Sequence, residues 1–126
     1  MKNTQMTKKI LIVEDNPEVV ELMQMILEYM GYAPIVAKNG KEAVNMAASS
    51  LPDLILLDIT LPDMDGFAAA RQIRQNPKTH SIPILAMTGG ASFKVQEEYL
   101  QNDCNYFISK PFTPKELVSR IEKLLM

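Results

Sequence analysis

Three carboxylates, one hydroxyl and one ammonium stand where short apolar runs give way to polar residues. Glu14-Asp15 follows the run 10–13, Asp58 follows 54–57, Thr88 follows 84–87, and Lys110 begins Lys110-Pro111-Phe112. Carboxylates crowded together repel, and each raises its neighbours' pKa unless a cation intervenes. At an effective dielectric near 20, two charges ~4 Å apart interact by roughly 4 kcal/mol. Oxygen ligands with no His or Cys beside them suit a hard cation such as Mg²⁺, which keeps several waters and takes one or two carboxylates plus phosphate oxygens. Lys110 offers a point charge for a phosphoryl group, and Thr88 a hydroxyl donor. Together they could place a phosphoryl group on a carboxylate while a metal and a lysine neutralise the developing charge.

That chemistry requires the five residues to meet, and the patterning between them says how. The runs 10–13, 54–57 and 84–87 are solidly apolar, as strands are when buried on both faces of a parallel sheet. Between them lie amphipathic stretches: Val19, Met23, Ile26, Leu27 and Met30 fall at helical spacing, as do Leu117, Ile121, Leu124 and Leu125. Asn16-Pro17 and Thr113-Pro114 place a capping side chain before a first-turn proline, and Asn39 answered by Glu42 has capping-box spacing. Gly31 ends the first helix. The pattern predicts strands near 9–14, 33–37, 54–58, 83–87 and 106–109, and helices near 17–30, 40–49, 66–75, 92–102 and 114–125. Alternating strands and helices imply an α/β fold: a doubly wound, flavodoxin-like parallel sheet flanked by five helices. Pro34 puts the second strand at an edge, which fits the order 2-1-3-4-5. In such a sheet ligands bind at the carboxyl ends of the strands, where the five residues fall. Residues 1–8 are expected to be a frayed lead-in and 9–126 one domain.

Composition removes several alternatives. The 126 residues carry 13 basic and 15 acidic side chains, 47% hydrophobic and 22% charged overall, which suits a single globular domain and not a disordered chain. A net charge of −2 gives no electrostatic case for nucleic acid. One cysteine, Cys104, excludes an internal disulfide, and one histidine, His80, excludes a multi-histidine metal site. No apolar run approaches bilayer length and the first nine residues lack a signal-peptide core, so the expectation is a cytoplasmic protein that does not bind membranes.

The set Glu14-Asp15, Asp58-Ile-Thr-Leu-Pro-Asp-Met-Asp-Gly66, Thr88 and Lys110-Pro111-Phe112 resembles the receiver domain of two-component response regulators, of the stand-alone chemotaxis-regulator type, over about residues 8–126. The resemblance implies that Asp58 accepts a phosphoryl group from a phosphohistidine or small phosphodonor. It implies that Asp15 and Asp58 bind Mg²⁺ directly, Glu14 directly or through water, and that the Thr60 carbonyl completes the protein ligands. Thr88 would bond a phosphoryl oxygen, Lys110 would pair with the phosphate, and Phe107, three residues before the lysine, would couple to Thr88 as a switch. The implied partners are a histidine kinase or histidine phosphotransfer protein and a separate downstream target. The chain would be no enzyme beyond catalysing its own phosphorylation and dephosphorylation.

Two departures stand out. Gly89 replaces the alanine usual after the switch threonine, with Gly90 next. The segment before the fifth strand reads Asn102-Asp103-Cys104-Asn105 and lacks the usual glycine, so Asn102 or Asp103 is expected to take a left-handed, helix-ending conformation. Taken singly, Glu14-Asp15 is an exposed acidic pair, Lys110 a surface lysine and Phe107 a core aromatic; only their common placement argues for a site. Asp63 and Asp65 read as solvated turn residues, His80 as surface, Cys104 as buried packing, and Met23, Met30, Met46 and Met87 as core. Three other functions fit these residues less well. A binding-only scaffold would not need the intact Asp15, Asp58, Thr88 and Lys110. A flavodoxin-type carrier would want a Ser/Thr/Gly-rich phosphate cradle where Glu14-Asp15-Asn16-Pro17 stands. An aspartyl-phosphate hydrolase would carry a second acid where Thr60 stands.

Overall fold

The computed structural model describes residues 7–59, 66–89 and 103–125. Its elements in chain order are β1 (Lys9–Val13), α1 (Pro17–Tyr29), β2 (Ala33–Ala37), α2 (Gly40–Ser50), β3 (Leu54–Asp58), α3 (Gly66–Gln75), β4 (Ile84–Thr88), β5 (Tyr106–Ser109) and α4 (Pro114–Leu125). The five strands form one sheet in the order β2-β1-β3-β4-β5, parallel at every pairing. This is the expected topology, with Pro34 in the edge strand. Four helices are seen among the described residues; the helix expected at 92–102 lies outside them.

The pleat divides the core in two. Leu11, Val13, Ile55, Leu57 and Ala86 face α2 and α3, where Ala43, Ala47, Ala69, Ala70 and Ile73 meet them. Ile10, Ile12, Leu54, Leu56, Leu85 and Met87 face α1 and α4, meeting Met23, Leu27, Leu117 and Ile121. β1 after Lys9, and all of β3 and β4, are buried, which is why those runs read as continuously apolar.

Local signals set the helix ends. The Asn16 side chain accepts from the Glu18 N–H at 3.0 Å, and that of Asn39 from the Glu42 N–H at 2.8 Å. Glu42 reaches back to the Lys38 N–H at 3.0 Å, one residue earlier than a standard capping box. Thr113 and Glu116 form the full reciprocal pair, 3.1 Å each way between backbone N–H and side-chain oxygen. α1 closes in a Schellman motif: Gly31, at φ 90°, donates to the Glu28 carbonyl, and Tyr32 donates to that of Leu27.

Several expectations shift. Met30 is the C-cap of α1 rather than its last turn and is 37% exposed, so it is not core. β4 starts at 84, not 83, because Pro83 has no N–H for the ladder, and the shift makes Thr88 the last strand residue. β1 ends at Val13, although the Glu14 N–H still donates to the Ala37 carbonyl at 3.1 Å. Lys8, assigned to the lead-in, already lends its carbonyl to the Ala33 N–H at 2.8 Å. The left-handed conformation expected at Asn102 or Asp103 turns on Asn102, which lies outside the described residues, whereas Leu51 at the end of α2 takes it, at φ 48°.

Candidate functional site

The candidate residues arrive at one rim because parallel strands end together. Extending the pleat past the strand ends puts Glu14 in line with Ile10 and Ile12, Asp58 with Leu54 and Leu56, and Lys110 with Ile108, all on the α1–α4 face. The contacts agree. The Lys110 ammonium lies 3.1 Å from Glu14 Oε1 and 3.3 Å from Asp58 Oδ2. Glu14 and Asp58 are almost fully buried, at 2% and 3% exposure, whereas Asp15 is exposed. One oxygen from each of Glu14, Asp15 and Asp58 lies within 4.8 Å of the others.

Local backbone geometry holds this arrangement. Glu14 is fixed from behind by the Asn16 N–H, which donates to Oε2 at 3.3 Å. The Lys110 N–H donates to the Thr88 carbonyl, tying β5's exit to β4's. Lys110-Pro111 is a cis peptide. After Asp58, the Ile59 N–H donates to the Met87 carbonyl at 3.2 Å and the Ile59 carbonyl accepts from the Gly66 N–H at 3.0 Å. A Cβ on Gly66 would stand 2.6 Å from the Ile59 Cα, so only glycine lets α3 begin this close to the residue beside Asp58.

The electrostatics are those of a crowded acid site with too little positive charge. Burial pushes the Glu14 carboxyl above its ordinary range; the Lys110 hydrogen bond opposes the rise and the Asp58 charge adds to it. Burial would lower the Lys110 ammonium, but the hydrogen bond to Glu14 and the charges of Asp58 and Glu14 outweigh it and hold Lys110 above its ordinary value. Lys110 pairs with two of the three clustered carboxylates, Glu14 and Asp58, so among the described residues the cluster has a formal deficit of two positive charges. The donor set is all oxygen, so it fits a hard divalent cation.

Thr88 lies at the end of β4 on the opposite, α2–α3 face, with Ala86. It is fully buried, and its hydroxyl has no hydrogen-bond partner among the described residues. An unpaired buried hydroxyl costs roughly 1–3 kcal/mol. Phe107 pairs with Ala86 across the β4–β5 register and Ser109 with Thr88. Phe107 and Thr88 are therefore diagonal neighbours on one face, and Phe107 packs, half-buried, against the α2–α3 core.

The structure thus brings Glu14, Asp15, Asp58 and Lys110 together and sets Thr88 and Phe107 side by side. Thr60, Asp63 and Asp65 lie outside the described residues. His80 is exposed, and Cys104 is buried with its thiol pushed up to about 12, as a packing residue would be. Sequence reasoning missed the sharing of Lys110 between Glu14 and Asp58. The signal was available: 14, 58 and 110 have the same parity as the apolar residues preceding them on one face of the pleat.

Residues 10–122 match the response regulator receiver domain family. The polar-differentiation response regulator DivK of Brucella ovis is 34% identical over 120 residues, which is 95% of this chain and 98% of DivK. The alkaline phosphatase synthesis transcriptional regulatory protein PhoP of Bacillus subtilis is 38% identical over 120 residues; the match takes in 95% of this chain but 49% of PhoP, so the chain spans about half of that relative. Among solved structures, the receiver domain of the sensor histidine kinase PA1611 of Pseudomonas aeruginosa has a magnesium ion coordinated in its active site cleft. It is 33% identical and superposes with a TM-score of 0.87, covering 95% of this chain and 98% of that one. No helix among the described residues is long and apolar enough to cross a membrane. Sheet order, acid cluster, paired lysine and relatives agree, and the chain belongs to the response regulator receiver domain family of two-component signalling.

Proposed function

We propose that this receiver takes a phosphoryl group on Asp58 from a phosphohistidine of a histidine kinase or histidine phosphotransfer protein. The observation that carries the reading is the buried Asp58 carboxylate inside a three-acid cluster, with the Lys110 ammonium 3.3 Å away. An Asp58 oxygen attacks phosphorus, the P–N bond to the donor breaks, and the ring keeps the bonding pair. Hydrolysis of the acyl phosphate later restores the carboxylate. Glu14, Asp15 and Asp58, with the Thr60 carbonyl, would hold Mg²⁺. Bound there, the ion supplies the positive charge that phosphoryl oxygens need in transfer. Lys110 turns from the carboxylates toward the new phosphate, and Thr88 gives its unpaired hydroxyl to a phosphoryl oxygen.

The output follows from the same contacts. Movement of Thr88 is felt by Phe107 beside it, so phosphorylation biases a two-state arrangement of β5. The changed surface, β5 with α4 and the segment 92–102, is read by a separate target protein in the cytoplasm. The reading is tested by incubation with Mg²⁺ and acetyl phosphate followed by intact-mass measurement. The wild type gains one phosphoryl mass, and Asp58→Asn gains none while keeping its fold. An Asp58→Asn protein that is still labelled would place the acceptor elsewhere.

A further inference from the structure

Arg120 on α4 reaches across to β5, the strand that carries Phe107 past Thr88. Its guanidinium carbon lies 4.6 Å from the centre of the Tyr106 ring, a cation–π stack. Its Nη1 donates to the Phe107 carbonyl at 3.4 Å, longer than an ordinary N–H···O bond, so the ring does more of the holding. Among the described residues no carboxylate pairs with Arg120. The two residues it touches belong to opposite faces of the sheet. Tyr106 packs on the α1–α4 core, and Phe107 packs on the α2–α3 core as the diagonal neighbour of Thr88. Their rings are 6.3 Å apart and tilted by 39°. Among the described residues β5 is an edge strand with a ladder to β4 alone, so a side-chain tie from α4 counts for more in setting its position.

From these contacts we infer that Arg120 is a positioning residue that carries the state of Phe107 from β5 to α4. The inference rests on Asp58 being the acceptor and names the link between that site and the helix that reads it. The stack and the carbonyl bond are made in the unmodified arrangement. A displacement of β5 toward Thr88 lengthens a bond that is already long and draws the Tyr106 ring from under the guanidinium. The tie therefore favours the unmodified arrangement and opposes the phosphorylated one. When it breaks, the guanidinium leaves β5, and a change beside Thr88 is read on α4. Coupling between two sites is reciprocal. Releasing the tie must then ease binding of a phosphoryl mimic at Asp58, although the contacts of Arg120 are with β5 and not with the acid cluster.

The test titrates the full chain with beryllofluoride in Mg²⁺ and follows it by heteronuclear NMR. In the wild type the Arg120 Nε–H resonance should shift as the mimic binds. Arg120→Met keeps the apolar stem and removes the cation and its donors. Tyr106→Leu keeps an apolar side chain on β5 and removes the ring. Each should tighten beryllofluoride binding by about threefold, and the double variant by no more than either alone. A merely structural role would weaken binding instead. Affinity unchanged or weakened in either variant, effects that add in the double variant, or a silent Arg120 resonance overturns the inference. A wild type that neither binds beryllofluoride nor is labelled by acetyl phosphate overturns Asp58 as acceptor, so the two failures are distinguishable.

Discussion

The two ends of the sheet solve opposite problems. At the amino end polar side chains tie the elements together. Arg74 on α3 donates to the carbonyls of Asp103, His80 and Ile82 and to Asn105 Oδ1, at 2.7–3.0 Å. Asn105 Oδ1 also accepts from the Ile84 N–H at 2.8 Å, which binds the start of β4 to the start of β5. Across the sheet, the Lys9 N–H donates to Asp53 Oδ2 and the Lys9 ammonium to the Ser50 carbonyl. At the carboxyl end, among the described residues, acids outnumber bases and a buried hydroxyl has no partner. One end is optimised for the folded chain alone. The other keeps uncompensated acid charge, which is the compromise expected of a functional site.

The contrast predicts that substitutions at the two ends act with opposite sign on the stability of the metal-free protein. The largest effect should come from Arg74→Met. It strips four acceptors of a charged donor and should destabilise by about 3 kcal/mol in denaturant unfolding, with acetyl-phosphate labelling of the folded protein unchanged. A loss below about 1 kcal/mol would mean that solvent replaces the guanidinium and that the amino end is not a staple.

Asp15→Asn should weaken Mg²⁺ binding by about tenfold, or about 1.4 kcal/mol, while raising metal-free stability through relief of like-charge repulsion. Titration followed by heteronuclear NMR measures the first and urea unfolding the second. Unchanged affinity would remove Asp15 from the site. Thr88→Val deletes the unpartnered hydroxyl at nearly constant shape. It should stabilise the unmodified protein by about 1 kcal/mol while reducing the chemical-shift response of β5 to beryllofluoride, a phosphoryl mimic. A destabilised valine variant would show that the hydroxyl has a partner in solution.

The smallest effect is a pH dependence. Because Glu14 binds its proton more tightly when folded than its ordinary 4.5, its contribution to stability is fully present below pH 4.5 and lost as pH rises through the higher folded value. In chelator, the stability of the wild type minus that of Glu14→Gln should therefore increase as pH falls from neutral toward 4.5. A flat difference would mean that the Lys110 pairing fully offsets burial.

Much of this was legible in the sequence because it depends on local chemistry. Continuous apolar runs require burial on both faces, Asn16-Pro17 and Thr113-Pro114 cap helices wherever those helices pack, and Pro34 cannot serve a central strand. The strand ends then dictate that Glu14, Asp15, Asp58, Thr88 and Lys110 share a rim. Errors clustered at boundaries, where a single missing N–H at Pro83 or a C-cap at Met30 moves an element by one residue.

What only the tertiary structure decided are relations between residues distant in the chain. That Lys110 divides its ammonium between Glu14 and Asp58 depends on the register of three strands. That the Thr88 hydroxyl is buried with no partner among the described residues depends on how β4 sits between β3 and β5. Arg74 and Asn105 look like ordinary surface polar residues until α3, the start of β4 and the start of β5 converge on them. The physical reason is common to all three. Secondary structure follows from interactions a few residues long, which composition and spacing encode, whereas charge sharing, an unmet hydrogen bond and a shared donor are properties of side chains that meet only after the sheet has assembled.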